Sequence, residues 1–524
     1  MRIVSIAISL LLAITPSVLL AQDQTNDSLE TNYVYLPQLL QENPNASIFY
    51  NALVATGLKD TLEQYLDPNY PGVDYEWTVQ ALRDRYSGVH FNYTAVERDA
   101  IAMPEKREFK YTLFVVKDAD LANLGIHNLD ELREYAKRVY PEGAGMSDTE
   151  RGSSLNRFLS YHILPCWLPY DQFNTSQPEI IRNRKYLDEF DVEDFFETLL
   201  PHSIMRISTA YQDSENPIGI FINRKGTVKT GLEIEGVKIE NNSNSCINGG
   251  YYCIDKPVLY DNVTRNNALN TRMRIMACTL SPDFINSGAR GRLNGDPANE
   301  GNPYLNGMVY AFKPGFCKNV EWIDGPTRFF VRYRDRAFGT YNGDEISIRG
   351  SYDIVFRLPA VPVDGLYEIR IWNNALAGFA SWNGLGNTIF YFRNEEGDFI
   401  PAGVPVDLNK TINDPSIGGV LDNDEIFDGL SDSEREAAIN EHDMLLHKNG
   451  YLKAPDSYGL GISSLRDDGS CYRLVLGEQY MEADKYYYLR IRQVSEDDVI
   501  FAFNFLEIVP SSVYSGENGL EDKH

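Results

Sequence analysis

The densest run of ligand-contacting residue types in the sequence is IWNNALAGFASWNGLGN, which carries Trp372, Asn373, Asn374, Trp382, Asn383 and Asn387 between two predicted strands. Sugars offer flat C–H faces to aromatic rings and hydroxyls to amides, so this composition predicts a glycan-contacting loop. The structural alternative is that each Trp plugs one end of a sheet core. Groups that attack or exchange protons are scarce. There is no Gly-x-Ser-x-Gly elbow, no phosphate loop, no His-Glu-x-x-His, no dinucleotide fingerprint between a strand and a helix, and only 7 histidines in 524 residues. A hydrolase or lyase built on paired carboxylates would leave no such pattern, because the pair is assembled in space. The expectation is a non-enzymatic protein without cofactor.

Metal-ligand spacing is equally poor. Asp422, Asp424 and Asp428 precede Gly429, but with that glycine in sixth place an EF-hand would need oxygen ligands where Ile426 and Arg435 stand. A solvated turn feeding acids into a helix N-terminus is the competing reading. His442 and His447, five apart, point to different helix faces. No metal is expected. The six cysteines, at 166, 246, 253, 278, 317 and 471, contain no Cys-x-x-Cys pair. Cys246 and Cys253 fall opposite each other if Gly249 and Gly250 are the central turn residues, and a disulfide then fits. An Asn248–Gly249 turn would shift the register and separate them.

Composition bounds the partners. A net charge of −27 without a basic block repels phosphate polyanions, which argues against nucleic acid and anionic membranes. The hydrophobic fraction of 43%, with 12% aromatic, is enough to bury more than one core. Arg2 followed by the apolar run Ile3–Ile14, then Pro16 and Ala21 before a polar QDQTND, has the layout of a cleavable export signal. Cleavage is expected after Ala21; an uncleaved anchor is the alternative. The cleavage point carries no cysteine for lipidation. The mature chain has no second apolar run of spanning length, so it is not expected to insert in a membrane.

The expected organisation is a signal over residues 1–21, a leader over 22–44, an α+β domain over 45–262, an all-β antiparallel sandwich over 263–514 and a polar tail over 515–524. In the first domain, ASIFYNALVATGLKDTLEQYL predicts a helix capped by Ser47 and broken at Gly57. YTLFVVKD predicts a buried strand, and NLDELREYAKRVY and SSLNRFLSYHILP predict helices. DEFDVEDFFETLLPH predicts a surface helix, with Val192, Phe195, Phe196 and Leu199 on one side and an acidic solvated face. After about Asp261 the period becomes two. TRFFVRYRD, SYDIVFRLPAV, GLYEIRIWNNA, TIFYFRNEE, KYYYLRIRQVS and VIFAFNFLEIVP predict strands with one solvated face, interrupted by a helix in SDSEREAAINEHDMLLHKNG capped by Ser431 or Ser433.

The order IFYNALVATGLKDTL, YTLFVVKDADL, LNRFLSYHILP, NGGYYCIDKPVLY resembles the fasciclin domain over about residues 45–262. That family pattern has an opening helix pair, a Thr-Leu-Phe strand and loop, a helix ending in Tyr-His-x-Leu-Pro and a closing hairpin. Lys117 stands where the pattern has proline, and the segment from Cys166 to Lys238 is longer than a minimal domain. The longer form is similar to exported fasciclin proteins of Bacteroidota. The resemblance implies cell adhesion through a surface protein and a role for Tyr161 and His162; the physical alternative places both in the core. LYEIRIW and PAGVPVDL resemble the central strands of galactose-binding-like jelly rolls, which implies glycan binding by the second half.

Overall fold

The computed structural model describes residues 33–70, 72, 101–102, 104–173, 193–213, 216–225, 235–242, 244–288, 307–310, 312, 315–324, 328–333, 344–349, 351–375, 384–455, 465–467, 469–494 and 499–514. The expected signal, residues 22–32 of the expected leader, and the C-terminal tail lie outside them; the rest of the expected leader carries the helix Leu36–Gln41, with Leu36 and Leu40 buried. Residues from Val34 onward pack as one compact unit. None of the described helices is long and apolar enough to cross a membrane.

The first region mixes helices with a curled eight-stranded sheet. Ser47–Ala55 and Leu58–Glu63 are separated by Gly57 at φ +70, a conformation that costs residues with a Cβ. Ser47 is the first helical residue and not the cap. The orphan amides are instead taken by Asp118, whose carboxylate accepts from Ser47 N and Ile48 N at 3.0 and 3.1 Å and from Ser47 Oγ at 2.6 Å. Tyr111–Val116 is buried along its whole length because it lies inside the sheet, antiparallel to Ile163–Leu164 and parallel to Gly249–Ile254. The sheet continues through Val237–Ile239, Asn216–Ile222, Ile204–Asp213 and Glu193–Glu197. Its far end returns to the first edge: Leu199 N donates to Ile163 O at 2.9 Å. The helices Leu129–Val139 and Ser154–Tyr161 form where the sequence predicts helices, and the structure gives Asn128 and Ser153 as their caps.

The expected acidic helix is a strand. Glu193–Glu197 pairs antiparallel with Ile204–Ser208, and both Phe195 and Phe196 are buried. A helix stripe and two adjacent phenylalanines facing opposite sides of a strand look alike over five residues. What decides is the partner of each acid: Glu193 pairs with Arg206 and Glu197 with Arg357, so carboxylates assigned to solvent are held in ion pairs.

Three further sheets follow, antiparallel except where Ile101–Ala102 joins the first of them in parallel. That sheet runs through Gly307–Tyr310, Arg328–Tyr333, Asp344–Arg349 and Ile500–Phe503. Another is ordered Val320–Asp324, Asp353–Arg357, Tyr487–Gln493, Asn387–Asn394, Ile400–Pro401. The two pack through aromatic pairs: Phe356 lies 5.3 Å from Phe503, and Phe390 lies 6.3 Å from Phe501. The remaining sheet is ordered Met273–Met276, Phe505–Pro510, Gly365–Asn374, Cys471–Met481, Tyr451–Lys453. VIFAFNFLEIVP, one strand by period, is therefore two strands of different sheets, with the change at the buried Asn504, whose carbonyl accepts from Ala277 N at 2.9 Å.

In this last sheet the polar face, expected to meet solvent, is buried. Glu507 is fully buried, opposite Arg274 on one neighbouring strand and Arg370 on the other. Its carboxylate lies 2.6 Å from Arg274 and 3.3 Å from both Arg370 and Arg473. Glu368 bridges Arg370 to His447, at the end of the helix Asp432–Lys448 that covers this face. That helix has the expected cap, a reciprocal Ser431–Glu434 box. Alternation alone cannot distinguish water from buried counter-charge.

Candidate functional site

The described residues among those singled out in the sequence do not assemble into a surface site. Trp372, Asn373 and Asn374 belong to the strand Gly365–Asn374, and the expected loop begins only after them. Trp372 is fully buried with its ring 5.0 Å from Phe505, so it plugs the core and offers no face to a sugar. Asn373 and Asn374 are buried too: Asn373 Nδ2 donates to Leu408 O at 3.0 Å, and Asn374 Oδ1 accepts from Cys471 Sγ at 3.7 Å. Trp382 and Asn383 lie outside the described residues.

Tyr161 and His162 are likewise buried. Tyr161 Oη donates to Ile204 O at 3.0 Å and accepts from Asn223 Nδ2 at 2.9 Å. His162 Nδ1 donates to Phe158 O at 2.8 Å, and Nε2 accepts from Val258 N at 3.2 Å. One donor and one acceptor define the neutral ring, and burial brings its pKa down to about 4. The pair therefore ties the helix end to the sheet and presents nothing to an adhesion partner.

All six cysteines are free thiols. The hairpin register sets Cys246 opposite Gly249, with Ile247 and Asn248 as the turn, which moves Cys253 away from it. Cys246 Sγ turns to Asn248 Oδ1 and Gly249 O, both at 3.3 Å, and burial pushes its thiol up to about 11. One carboxylate of the acidic loop, Asp422, is paired with cations from later in the chain. Asp422 lies 2.7 Å from Lys453 and 2.9 Å from Arg466, and Asp443 meets the same two cations at 2.8 and 2.6 Å. Although burial raises it, these cations hold the Asp422 carboxyl down at about 2. Among the described residues no group of three or more His, Cys, Asp or Glu could hold a metal ion.

The structure instead opens a cleft of about 670 Å³ where the helical layer meets the end of the sheet holding Glu507. Three guanidiniums come from the helical side. Arg157, on the helix Ser154–Tyr161, lies 2.8 Å from Glu142 and over the Tyr140 ring at 5.3 Å. Arg265 donates from Nε to Pro362 O at 2.6 Å and covers Tyr260 at 5.4 Å. Arg151 completes the set. Tyr140 Oη accepts from Tyr260 N at 3.0 Å, and burial pushes the Tyr260 phenol up to about 12. The facing wall is acidic. Gly365 pairs with Met481, and Asp364 Oδ1 accepts from Ala483 N at 2.8 Å, so the strand ends hold Asp364, Glu482 and Asp484 together on the cleft.

The floor is the turn Leu200–Pro201–His202. His202 has φ +55, unusual for a residue with a Cβ and a mark of local strain. The turn is held by Thr198 Oγ1, which accepts from Leu200 N at 3.1 Å, and by Ser203 Oγ, which donates to Leu200 O at 2.8 Å. His202 N donates to Tyr486 Oη at 3.1 Å, and the two rings stack at 4.2 Å. Arg357 packs on the same tyrosine, 3.9 Å from its ring centre. Leu200 and Pro201 also wall a second pocket of about 130 Å³, bounded by Glu197, Lys318, Asn319, Arg357 and Tyr486.

Sequence reasoning missed this site because its residues are single polar positions at element ends, far apart in the chain. His202, directly after Pro201, and Asp364, directly before Gly365, sit in turn-forming pairs, and that signal does not specify a ligand. The helical wall sets the three guanidiniums beside the carboxylates Glu142 and Asp261, and the facing wall adds three more carboxylates, an arrangement that offers a polar molecule donors and acceptors together. No model of a known protein family matches the sequence, and no curated protein shows significant similarity to it.

Proposed function

We propose that this chain is an exported, non-catalytic binding protein that holds a hydroxyl-rich ligand, an oligosaccharide of a cell surface, in the cleft between the helical layer and the sheets. The observation that carries this reading is a cleft of about 670 Å³ in which Arg151, Arg157 and Arg265, with Glu142 and Asp261 beside them, face Asp364, Glu482 and Asp484. Saccharide hydroxyls donate and accept at once, so each can join a carboxylate on one side and a guanidinium on the other. The volume falls in the range of small-ligand sites. A protein partner would need roughly 800 Å² of surface on each side, and a concave polar cleft suits it less well.

Export rests on the Arg2 and Ile3–Ala21 pattern. The fasciclin kinship of the first half rests on its four ordered segments, and a jelly-roll arrangement of the second half on its alternating strands. Adhesion through Tyr161 and His162 is set aside, since neither reaches the surface. A glycan array probed with the purified chain tests the proposal. Saturable binding to particular oligosaccharides, weakened about tenfold or more by Asp364→Asn or Asp484→Asn, is expected. An array with no bound saccharide would sink the glycan reading, and release of new reducing ends from a bound polysaccharide would sink the non-catalytic one.

A further inference from the structure

The pocket beside the cleft is short of negative charge. Lys318 and Arg357 bound it, and Glu197 is its carboxylate. Glu197 Oε2 is already shared, taking Arg357 Nη2 at 2.6 Å and Asn319 Nδ2 at 2.9 Å. The next acid, Asp283, is held by Arg107 at 3.0 and 2.9 Å and accepts the Lys318 backbone amide at 2.6 Å. Lys318 feels Glu197 and Asp283 but forms no ion pair within 4 Å among the described residues, and Arg357 Nε is buried without a hydrogen-bond acceptor. Asn319, beside the lysine, is held at φ +68 with its amide on Glu197 and on Leu280 O, so the strand entrance is strained where the cations gather. Lys318 is exposed as a residue, yet its ammonium is dehydrated by its surroundings, which lowers its pKa.

We propose that this pocket is an anion subsite, which receives a carboxylate or sulfate group of the saccharide held in the neighbouring cleft and seats it against Lys318 and Arg357. The inference rests on the proposed glycan-binding cleft and narrows its ligand to acidic saccharides. Two features support it. The turn Leu200–Pro201 lines both cavities, which places them side by side. The space of about 130 Å³ is enough for a compact oxyanion. One further anion would give the ammonium its counter-charge and the buried guanidinium N–H its acceptor.

The test uses the full mature chain and inorganic sulfate, titrated calorimetrically against a sodium chloride control of equal ionic strength. Saturable sulfate binding is expected, reduced about tenfold or more in Lys318→Met and unchanged in Lys137→Met, a surface lysine that lines neither cavity. On the glycan array, uronate-containing and sulfated oligosaccharides should outrank their neutral counterparts for the native chain and lose that advantage in Lys318→Met. Equal sulfate binding by Lys318→Met and the native chain, or no saturable heat with sulfate, would overturn the subsite. Neutral saccharides binding as well as acidic ones would also overturn it while leaving the cleft intact, whereas an array with no bound saccharide removes the cleft reading itself.

Discussion

Replacing Glu507 by glutamine preserves the shape of the side chain and removes the charge on which three arginines converge. Arg370 and Arg473 are fully buried, Arg274 nearly so, and each lies within 3.3 Å of this carboxylate. Removing one member of a buried ion cluster costs about 3–5 kcal/mol, because the remaining charges stay dehydrated without a counter-ion. Titration gives a second route to the magnitude. Burial alone would raise the Glu507 pKa, but Arg473, Arg274 and Arg370 bring it from 4.5 down to about 2, which corresponds to about 3 kcal/mol. A folded-state pKa below the unfolded one contributes stability above pH 4.5, and that stability is lost as pH falls toward 2. Unfolding entropy of a unit running from Val34 to His524 is on the order of 1 kcal/mol per degree, so Glu507→Gln should lower the melting temperature by about 3–5 °C at pH 7. The difference should shrink when both proteins are melted at progressively lower pH below 4.5. Scanning calorimetry over a pH series reads both effects. A variant melting within about 1 °C of the native chain at pH 7, or a gap that does not narrow in acid, would refute the reasoning.

His162, held neutral with a pKa near 4, should make the protein lose about 3 kcal/mol as pH falls from about 6.5 to 4, and His162→Phe should flatten that part of the stability profile. Asp422→Asn, which leaves Lys453 and Arg466 with Asp443 alone, should destabilise by about 2–4 kcal/mol in urea unfolding, while chelation of calcium leaves the native melting temperature unchanged. Alkylation of the denatured, unreduced protein followed by mass spectrometry should add six groups, one to each free thiol; four would restore the Cys246–Cys253 bridge or another pair. Asp118→Ala should lower stability by about 1–2 kcal/mol through loss of the cap on Ser47–Ala55, and Ser47→Ala by less.

The elements that the sequence determined by itself are those whose signal is local. Gly57 breaks the opening helices because one residue requires positive φ, Ser153 and Asn128 cap because their oxygens reach the amide three residues on, and Tyr111–Val116 is buried because six consecutive apolar and β-favouring residues suit a strand covered on both faces. The alternating runs of the second half were legible for the same reason. Tertiary structure alone decided what faces what. Whether Trp372 meets sugar or core, whether Glu193 and Glu197 lie on a helix or on a paired strand, and whether Glu368, Arg370 and Glu507 meet water or one another depend on partners distant in the chain. The cleft has the same origin: Arg157, His202, Arg265, Asp364 and Asp484 acquire a common chemistry only when chain folding closes the distance between them, since electrostatic and hydrogen-bonding interactions act through space and leave no periodicity in sequence.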